Sequence, residues 1–504
     1  MAKKFELLMP GGSLEKIKYA IAHGADAVYA GVPKYSLRAR ENEFFEIESI
    51  KEAINYVHSK GKKIYLTTNI YAHNNKINSF MEAMKQMVDC APDAFIMTDP
   101  GLIMLTRELF PDVEIHLSTQ ANNTNWAQAK FWYEQGVTRV ILARELKVKE
   151  IKEIHEKVPG LELEAFVHGS ICMAYSGRCL LSNYLNYRDA NQGTCSHTCR
   201  WGFNVNVNDV DEAKLADEKS LNYDPKDPST YKNLEDDVLT NYVPISGEFF
   251  LEEKERPGEM MPVDEDEFGT YIMNSKDLCA VDYMQDLVDA GIISFKVEGR
   301  NKTEYYAGIV AKTYRKALDL LEEGKEIDKE TRDWMLKELS STANRGFIPG
   351  FYAQSPAAAA QEFEKDTAFQ THLYAGKIVG FDPETKFVEF EVKNRLDKGE
   401  KIEIITPNNV FEFELDEFYY HSAPPGESSK ITEHAHGGGR NIFFKLSDDV
   451  IEELNKSVDY GKDHYDGPKP ESKETKVWEV AVTRMLFKEP TSLKNRTPLK
   501  EAVA

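Results

Sequence analysis

Residues 5–31 read FELLMPGGSLEKIKYAIAHGADAVYAG, and the fold can be worked out from this stretch outward. An apolar run, FELLMP, leads into a segment where Leu14, Ile17 and Ile21 share one helical face while Lys16 and Lys18 turn outward. Ser13 can cap the start of that helix, and Gly24 supplies the left-handed residue that stops it. A second short run, AVYAG, follows at once and reads as a strand.

The unit recurs. Helical patterns ending at Gly61, Gly136 and Gly291 each precede another β-branched or aromatic run. KIYLTTN, AFIMTD, EIHLST, RVILAR, LEAFVHG and ISFKVEG bring the strands to eight, several joined by a helical pattern. Eight βα-type units in one domain predict an α/β fold, a closed TIM-like (β/α)8 barrel, rather than a doubly wound sheet. YIMNS, ahead of Asp277, is a candidate ninth strand. The barrel is assigned to residues 1–350, interrupted by an acidic insertion at 208–269 that holds DPKDP, EEKERPGE and DEDE and reads as a solvated excursion. Beyond Gln370 the texture becomes alternating strands without helices, HLYAGKIVGF, KFVEFEVKN, KIEIITP, VFEFELDEF and NIFFKLS, which predicts a small all-β domain of β-barrel type over 370–450. Residues 451–504 form a tail, read as a strand plus an arm.

Composition bounds the function. Hydrophobic residues make up 41% and charged residues 29% of the 504, which is globular usage and excludes whole-chain disorder. No run approaches about 18 uninterrupted apolar residues and the start lacks a secretory apolar core, so a cytoplasmic protein without a membrane span is expected. The net charge of −22 argues against indiscriminate nucleic-acid binding, although −13 of it lies in the insertion. A basic stripe for phosphate could still come from Arg188, Arg200, Lys312, Arg315 and Lys316, with Lys494, Arg496 and Lys500 in the tail. Tyr175, Trp201 and Tyr305 are candidates to stack an exposed base.

If the barrel is real, catalytic groups belong just after its strands. Polar residues collect there: Arg38 and Arg40, Asn69, Asp99, Gln120 and Asn122, Arg144 and Glu145, His168, then Glu298, Arg300 and Lys302. Cysteine is the other signal. Six cysteines are too sparse for a disulfide scaffold, yet Cys172, Cys179, Cys195 and Cys199 are clustered and Cys279 follows a probable strand end. Thiolates suit iron–sulfur clusters and zinc, but the spacing matches neither a zinc ribbon nor a ferredoxin run, so a metal site and buried thiols both stay open. Cys90, in MKQMVDCAP, reads as packing. There is no H-E-x-x-H, G-x-S-x-G, P-loop or G-x-G-x-x-G.

The stretch EAFVHGSICMAYSGRCLLS, Glu164 to Ser182, resembles the signature of the U-thirty-two peptidase family, the collagenase-like proteases. ELLMPGGS, YAGVPKYSLRAR, LTTN, STQANN, MNSKDLC and KVEGRNKT resemble other blocks of that family, and the chain is most similar to its tRNA-hydroxylating branch. The resemblance implies prephenate-dependent conversion of the wobble uridine of tRNA to 5-hydroxyuridine. It also implies an iron–sulfur cluster, expected as 4Fe–4S, on Cys172, Cys179, Cys195 and Cys279, with Cys199 a fifth candidate. On that reading the two carboxylates of prephenate call for Arg38, Arg40, Arg300 and Lys302, while Asn69, Gln120 and Asn122 hold carbonyl or hydroxyl groups. His168, Tyr175 and Glu298 are then the catalytic candidates. Two alternatives compete: a peptidase using Cys172 or Cys179 with His168, and a non-enzymatic RNA-binding protein.

Overall fold

The computed structural model describes residues 4–37, 44, 46–172, 174–192, 194–195, 199, 275–352, 370–382, 384–407, 409–420, 433–438, 441–454 and 482–486, plus short strands within 206–271, 430–431 and 457–476. Seven strand–helix units follow from the N-terminus. They are β1 (Glu6–Gly11) and α1 (Leu14–Ala22), β2 (Ala27–Gly31) and α2 (Ile47–Ser59), β3 (Lys63–Thr68) and α3 (Asn74–Asp89), β4 (Ala94–Met97) and α4 (Pro100–Leu109). β5 (Ile115–Leu117) and α5 (Trp126–Glu134), β6 (Arg139–Ile141) and α6 (Val148–Lys157), and β7 (Glu162–Gly169) with the short α7 (Leu181–Asn186) complete them. The first helix forms as its sequence dictates: Ser13 Oγ accepts the Lys16 amide at 3.2 Å, Ile17 and Ile21 are buried, and Gly24 is left-handed at φ 111°. A cap of this kind is worth about 1 kcal/mol.

After the insertion come β8 (Asp277–Cys279), α8 (Met284–Asp289), β9 (Ile292–Val297), α9 (Glu304–Glu322) and α10 (Lys329–Ser340). β1 to β7 pair in parallel in chain order, and β9 pairs in parallel with both β7 and β1, which closes an eight-stranded barrel. Of the ninth-strand candidate YIMNS, Tyr271 ends a strand paired with Asp264, and residues 272–274 lie outside the described residues. The barrel sheet is extended by β8, antiparallel to β7 with Cys279 opposite His168, and by Phe347–Ile348 beyond it.

The barrel interior carries charge as well as apolar packing. Glu164 of β7 is fully buried and accepts from Lys296 Nζ at 2.8 Å, Ser294 Oγ at 3.2 Å and Arg139 Nη1 at 3.3 Å. Arg139 also pairs with Glu6, whose second oxygen accepts the Tyr65 hydroxyl at 2.6 Å. Two carboxylates thus face two cations, and such a network resists removal of one member because the remaining charge is stranded away from water.

Several basic and aromatic expectations are corrected here. Arg315 is buried on α9 and holds Asp26, Asp319 and Glu322 at 2.7, 2.6 and 2.9 Å, so it is a structural cation and not a phosphate donor. Lys312 donates to the Thr406 carbonyl at 2.8 Å, joining α9 to the β-rich region. Tyr305 is buried and stacks on Tyr374 at 5.6 Å, which makes it packing. Arg200 and Trp201, Arg38 and Arg40, and Lys494, Arg496 and Lys500 lie outside the described residues.

The β-rich region is an eight-stranded antiparallel half-barrel sheet around Phe390, Ile402, Ile404, Phe418 and Phe444. The tail belongs to it. Val482–Leu486 lies between Glu400–Ile405 and His372–Asp382 in the sheet, so the sheet does not end at 450. Residues 197–275 with 357–367 form a second compact unit. Its described strands, Asn206–Asn208 with Tyr242–Pro244 and the antiparallel set Phe249–Glu252, Met260–Asp266 and Gly269–Tyr271, correct the expectation of a mere solvated loop.

Candidate active site

The C-terminal ends of the barrel strands carry a continuous polar layer. Asn69, after β3, is held by both ends of its amide: Oδ1 accepts the Leu37 amide at 3.1 Å and Nδ2 donates to Ser118 Oγ at 3.2 Å. Arg300, only 6% exposed, donates to Thr67 Oγ1 at 3.2 Å and to the Leu37 carbonyl. Asn69 and Arg300 therefore both anchor the residue that precedes Arg38. Lys302 donates to the Ala343 carbonyl at 3.0 Å. Gln120 lies in a single helical turn, Thr119–Ala121, and its carbonyl accepts the Tyr71 hydroxyl at 3.0 Å. Asn122 ends that turn at φ 55°, a region asparagine tolerates better than most residues, and its buried Nδ2 has no partner among the described residues.

Arg144 and Glu145, after β6, organise the cysteine-bearing segment. Arg144 stacks 4.1 Å over the Phe166 ring, donates to the Ser170 carbonyl at 2.7 Å and stands 3.7 Å from Glu298. Its buried Nε has no partner among the described residues. Glu145 Oε1 accepts both the amide and the hydroxyl of Ser176, at 2.8 and 3.2 Å. Next to that clamp, Gly177 at φ 73° presses its backbone onto the Gln120 carbonyl so closely that a Cβ would sit 1.9 Å from the oxygen. Only glycine fits such an approach. A cavity of about 380 Å³ opens beside the turn, lined by Tyr71, His73, Asp99, Arg178, Asp189 and Gln192 among others.

The sequence placed Arg144 at this face without assigning it a task, and it missed Arg178 because a lone exposed arginine carries no pattern. Tyr175 is 60% exposed and Cys172 is exposed, with Cys179, Cys195 and Cys199 half-buried. His168 is buried among Tyr306, Tyr314 and Phe347, with Tyr314 Oη 3.4 Å from Nδ1. Burial, helped by the charge of Lys302, holds its pKa down to about 3, so the ring is neutral. Cys279, opposite it, contacts the same Tyr314 hydroxyl at 3.7 Å, and burial pushes its thiol up to about 11. Cys90 is buried and bonds back to the Gln86 carbonyl, a packing role.

None of the six cysteines is joined in a disulfide. Their sulfur chemistry suits iron, and the Cys279–His168 pairing puts Cys279 at the end of β7 from which the chain runs on to Cys172. Among the described residues, no three Cys, His, Asp or Glu side chains are gathered closely enough to hold a metal ion. No described helix is long and apolar enough to cross a membrane.

Residues 12–362 match the family described as Peptidase family U32, and residues 370–455 match its C-terminal domain. The chain belongs to peptidase family U32. Among the relatives of this U32 protein is tRNA hydroxylation protein P of Escherichia coli (strain K12), 43% identical over 456 residues that span 90% of this chain and 96% of that one. The protein of the same name from Haemophilus influenzae (strain ATCC 51907 / DSM 11121 / KW20 / Rd) is 42% identical over 89% of this chain and 94% of its own. A more distant relative is the Collagenase of Porphyromonas gingivalis (strain ATCC BAA-308 / W83), 28% identical over 80% of this chain and 87% of its own.

Proposed function

We propose that this chain is a tRNA hydroxylase that converts the wobble uridine to 5-hydroxyuridine, with prephenate as co-substrate and an iron–sulfur cluster as redox centre. The observation that carries the reading is identity above 40% across about nine-tenths of both chains with two tRNA hydroxylation proteins. On the family resemblance Cys172, Cys179, Cys195 and Cys279 would hold the cluster, with Cys199 as the alternative thiolate, once drawn together from the positions they take in this structure, where, among the described residues, no three are gathered to hold a metal; the cluster when bound would supply one-electron chemistry. The protein's own groups bind and orient. Arg144, whose Nη1 holds the Ser170 carbonyl and whose Nη2 stands 3.7 Å from Glu298, would take a carboxylate of a small dianion through Nη2. Asn69 and Arg300 brace the segment leading to Arg38 and Arg40, which would take the second carboxylate. Tyr175, being exposed, is available to move a proton at the substrate, whereas His168, buried and neutral, is suited to position its strand rather than to shuttle. The site belongs in the cytoplasm, where thiols remain reduced.

The relative named Collagenase favours peptide hydrolysis as a second reading. A cysteine–histidine hydrolase needs a thiolate paired with an imidazole that can hold its proton. The thiol that stands opposite His168 is Cys279, and burial keeps both in their neutral forms. Deleting the gene and measuring tRNA nucleosides by mass spectrometry decides between the readings: 5-hydroxyuridine falls and returns with the wild-type gene but not with Cys179→Ala. Unchanged nucleosides together with cleavage of denatured collagen by the purified protein would reverse the assignment. Anaerobic purification with iron and sulfide analysis tests the cluster separately.

A further inference from the structure

Helix α7, which follows the cysteine turn, ends in an unusual way. The residue that caps it is Tyr187 in the left-handed conformation, φ 57° and ψ 25°, with its amide donating to the Asn183 carbonyl at 2.9 Å. The next amide, of Arg188, donates to the Ser182 carbonyl at 3.3 Å. Glycine takes this position in most helices that stop so, because a Cβ is strained there. A tyrosine in its place is normally compensated by packing. Here it is not: Tyr187 is 92% exposed, the most exposed large apolar side chain among the described residues.

The surroundings give the ring a purpose. Tyr175 and Leu180, 60% and 69% exposed, lie on the same chain segment, and Arg178 and Arg188 are exposed beside them in sequence. Apolar faces interleaved with guanidinium groups are what unpaired nucleotides require, the rings stacking on bases and the cations meeting phosphates. On a protein of net charge −22, two cations beside an open aromatic ring also match a polyanion better than another acidic protein. A duplex hides its base faces, so the partner is single-stranded.

We propose that the segment from Tyr175 to Arg188 is the surface that receives an unpaired loop of RNA, with Tyr187 as the stacking platform for a base. The proposal rests on the tRNA reading above and adds the element of the protein that engages the loop. The test uses fluorescence anisotropy with the full chain and a labelled anticodon stem–loop, and a fully paired RNA of equal length as comparison. Tyr187→Gly preserves the left-handed turn, so its melting temperature should equal or exceed that of the wild type while its affinity for the stem–loop falls about 5- to 150-fold. Tyr187→Phe keeps the ring and should bind as the wild type does, and the paired RNA should not distinguish the variants. If the wild type binds the stem–loop and Tyr187→Gly binds it equally well, the platform is overturned while the tRNA reading stands. A markedly lower melting temperature for Tyr187→Gly makes the ring packing and likewise overturns it. If wild-type protein binds no tRNA, the tRNA reading itself fails.

Discussion

Gly177→Ala, set beside Gly324→Ala, isolates the contact that holds the cysteine turn against the barrel. Both glycines are left-handed, φ 73° and 70°, so alanine costs about 1 kcal/mol at either from conformation alone. At Gly324 nothing lies within 4 Å of the added Cβ. At Gly177 the Cβ would stand 1.9 Å from the Gln120 oxygen and 2.8 Å from its carbonyl carbon, backbone atoms that no rotamer change can move aside. Reaching even 3.0 Å requires the turn to withdraw by about 1 Å, which stretches the hydrogen bonds of Ser176 to Glu145 from 2.8 and 3.2 Å. Bonds to a charged group are worth about 1.5–3 kcal/mol each, so losing one on top of the conformational cost gives roughly 2.5–4 kcal/mol, about a 70- to 900-fold increase in local opening. The barrel can stay closed while the turn peels away, so the global melting temperature moves little. Hydrogen exchange read on peptides covering 170–180, together with alkylation of Cys179, reports the opening. Both should accelerate in Gly177→Ala and stay at the wild-type level in Gly324→Ala, and on the proposed function 5-hydroxyuridine should fall only in the former. Equal exchange at 170–180 in the two variants would refute the argument that the Gln120 contact seats the turn.

Three further outcomes follow from the site and the interior. Replacing Glu164 by Leu or Lys296 by Met alone strands a buried partner and should cost about 3–5 kcal/mol in urea unfolding, while the double variant should lose far less than the sum; additive losses would show that the two charges are not coupled. Burial favours the neutral form of Glu6, but the Arg139 charge and hydrogen bonds from Tyr65, Arg139 and Ser294 outweigh it and lower its pKa to about 2. Its folded value lies below the usual 4.5, so this stability is present above pH 4.5 and is lost as the pH falls toward 2, up to about 3 kcal/mol; Glu6→Gln should flatten that limb of the stability–pH curve, and an unchanged limb would count against it. On the proposed function, Arg144→Lys keeps the charge and loses the planar fork, so prephenate binding measured by calorimetry should weaken roughly tenfold, and an unaltered affinity would remove Arg144 from the pocket.

The barrel was legible because each of its eight strands is a local apolar run and several helices announce their start or stop, as Ser13 and Gly24 do for α1. The half-barrel sheet was legible for the same reason, except for Val482–Leu486, whose place between two distant strands depends on pairing across more than 70 residues. The interior charges escaped notice. Glu6, Arg139, Glu164 and Lys296 each look like a polar residue breaking an apolar run until the closed barrel brings four separate strands onto one centre. Arg315 and Tyr305 misled for the converse reason: on a helix read alone they could face solvent, and only the packing of α9 buries them.

By itself the sequence determined the elements and their order, because capping, periodicity and glycine stops act within a few residues. It also determined the family, because the blocks that carry the resemblance are contiguous. The tertiary structure alone decided which polar groups are available for chemistry. His168 and Arg300 stand in motifs that mark them as reactive, yet one is buried and held neutral and the other is engaged by Thr67 and Leu37. Arg144, with no motif of its own, is tied by Ser170 and Glu298 into the cysteine-bearing segment. Availability is set by desolvation and by hydrogen bonds to residues far away in the chain, and neither quantity is encoded in any local stretch of sequence.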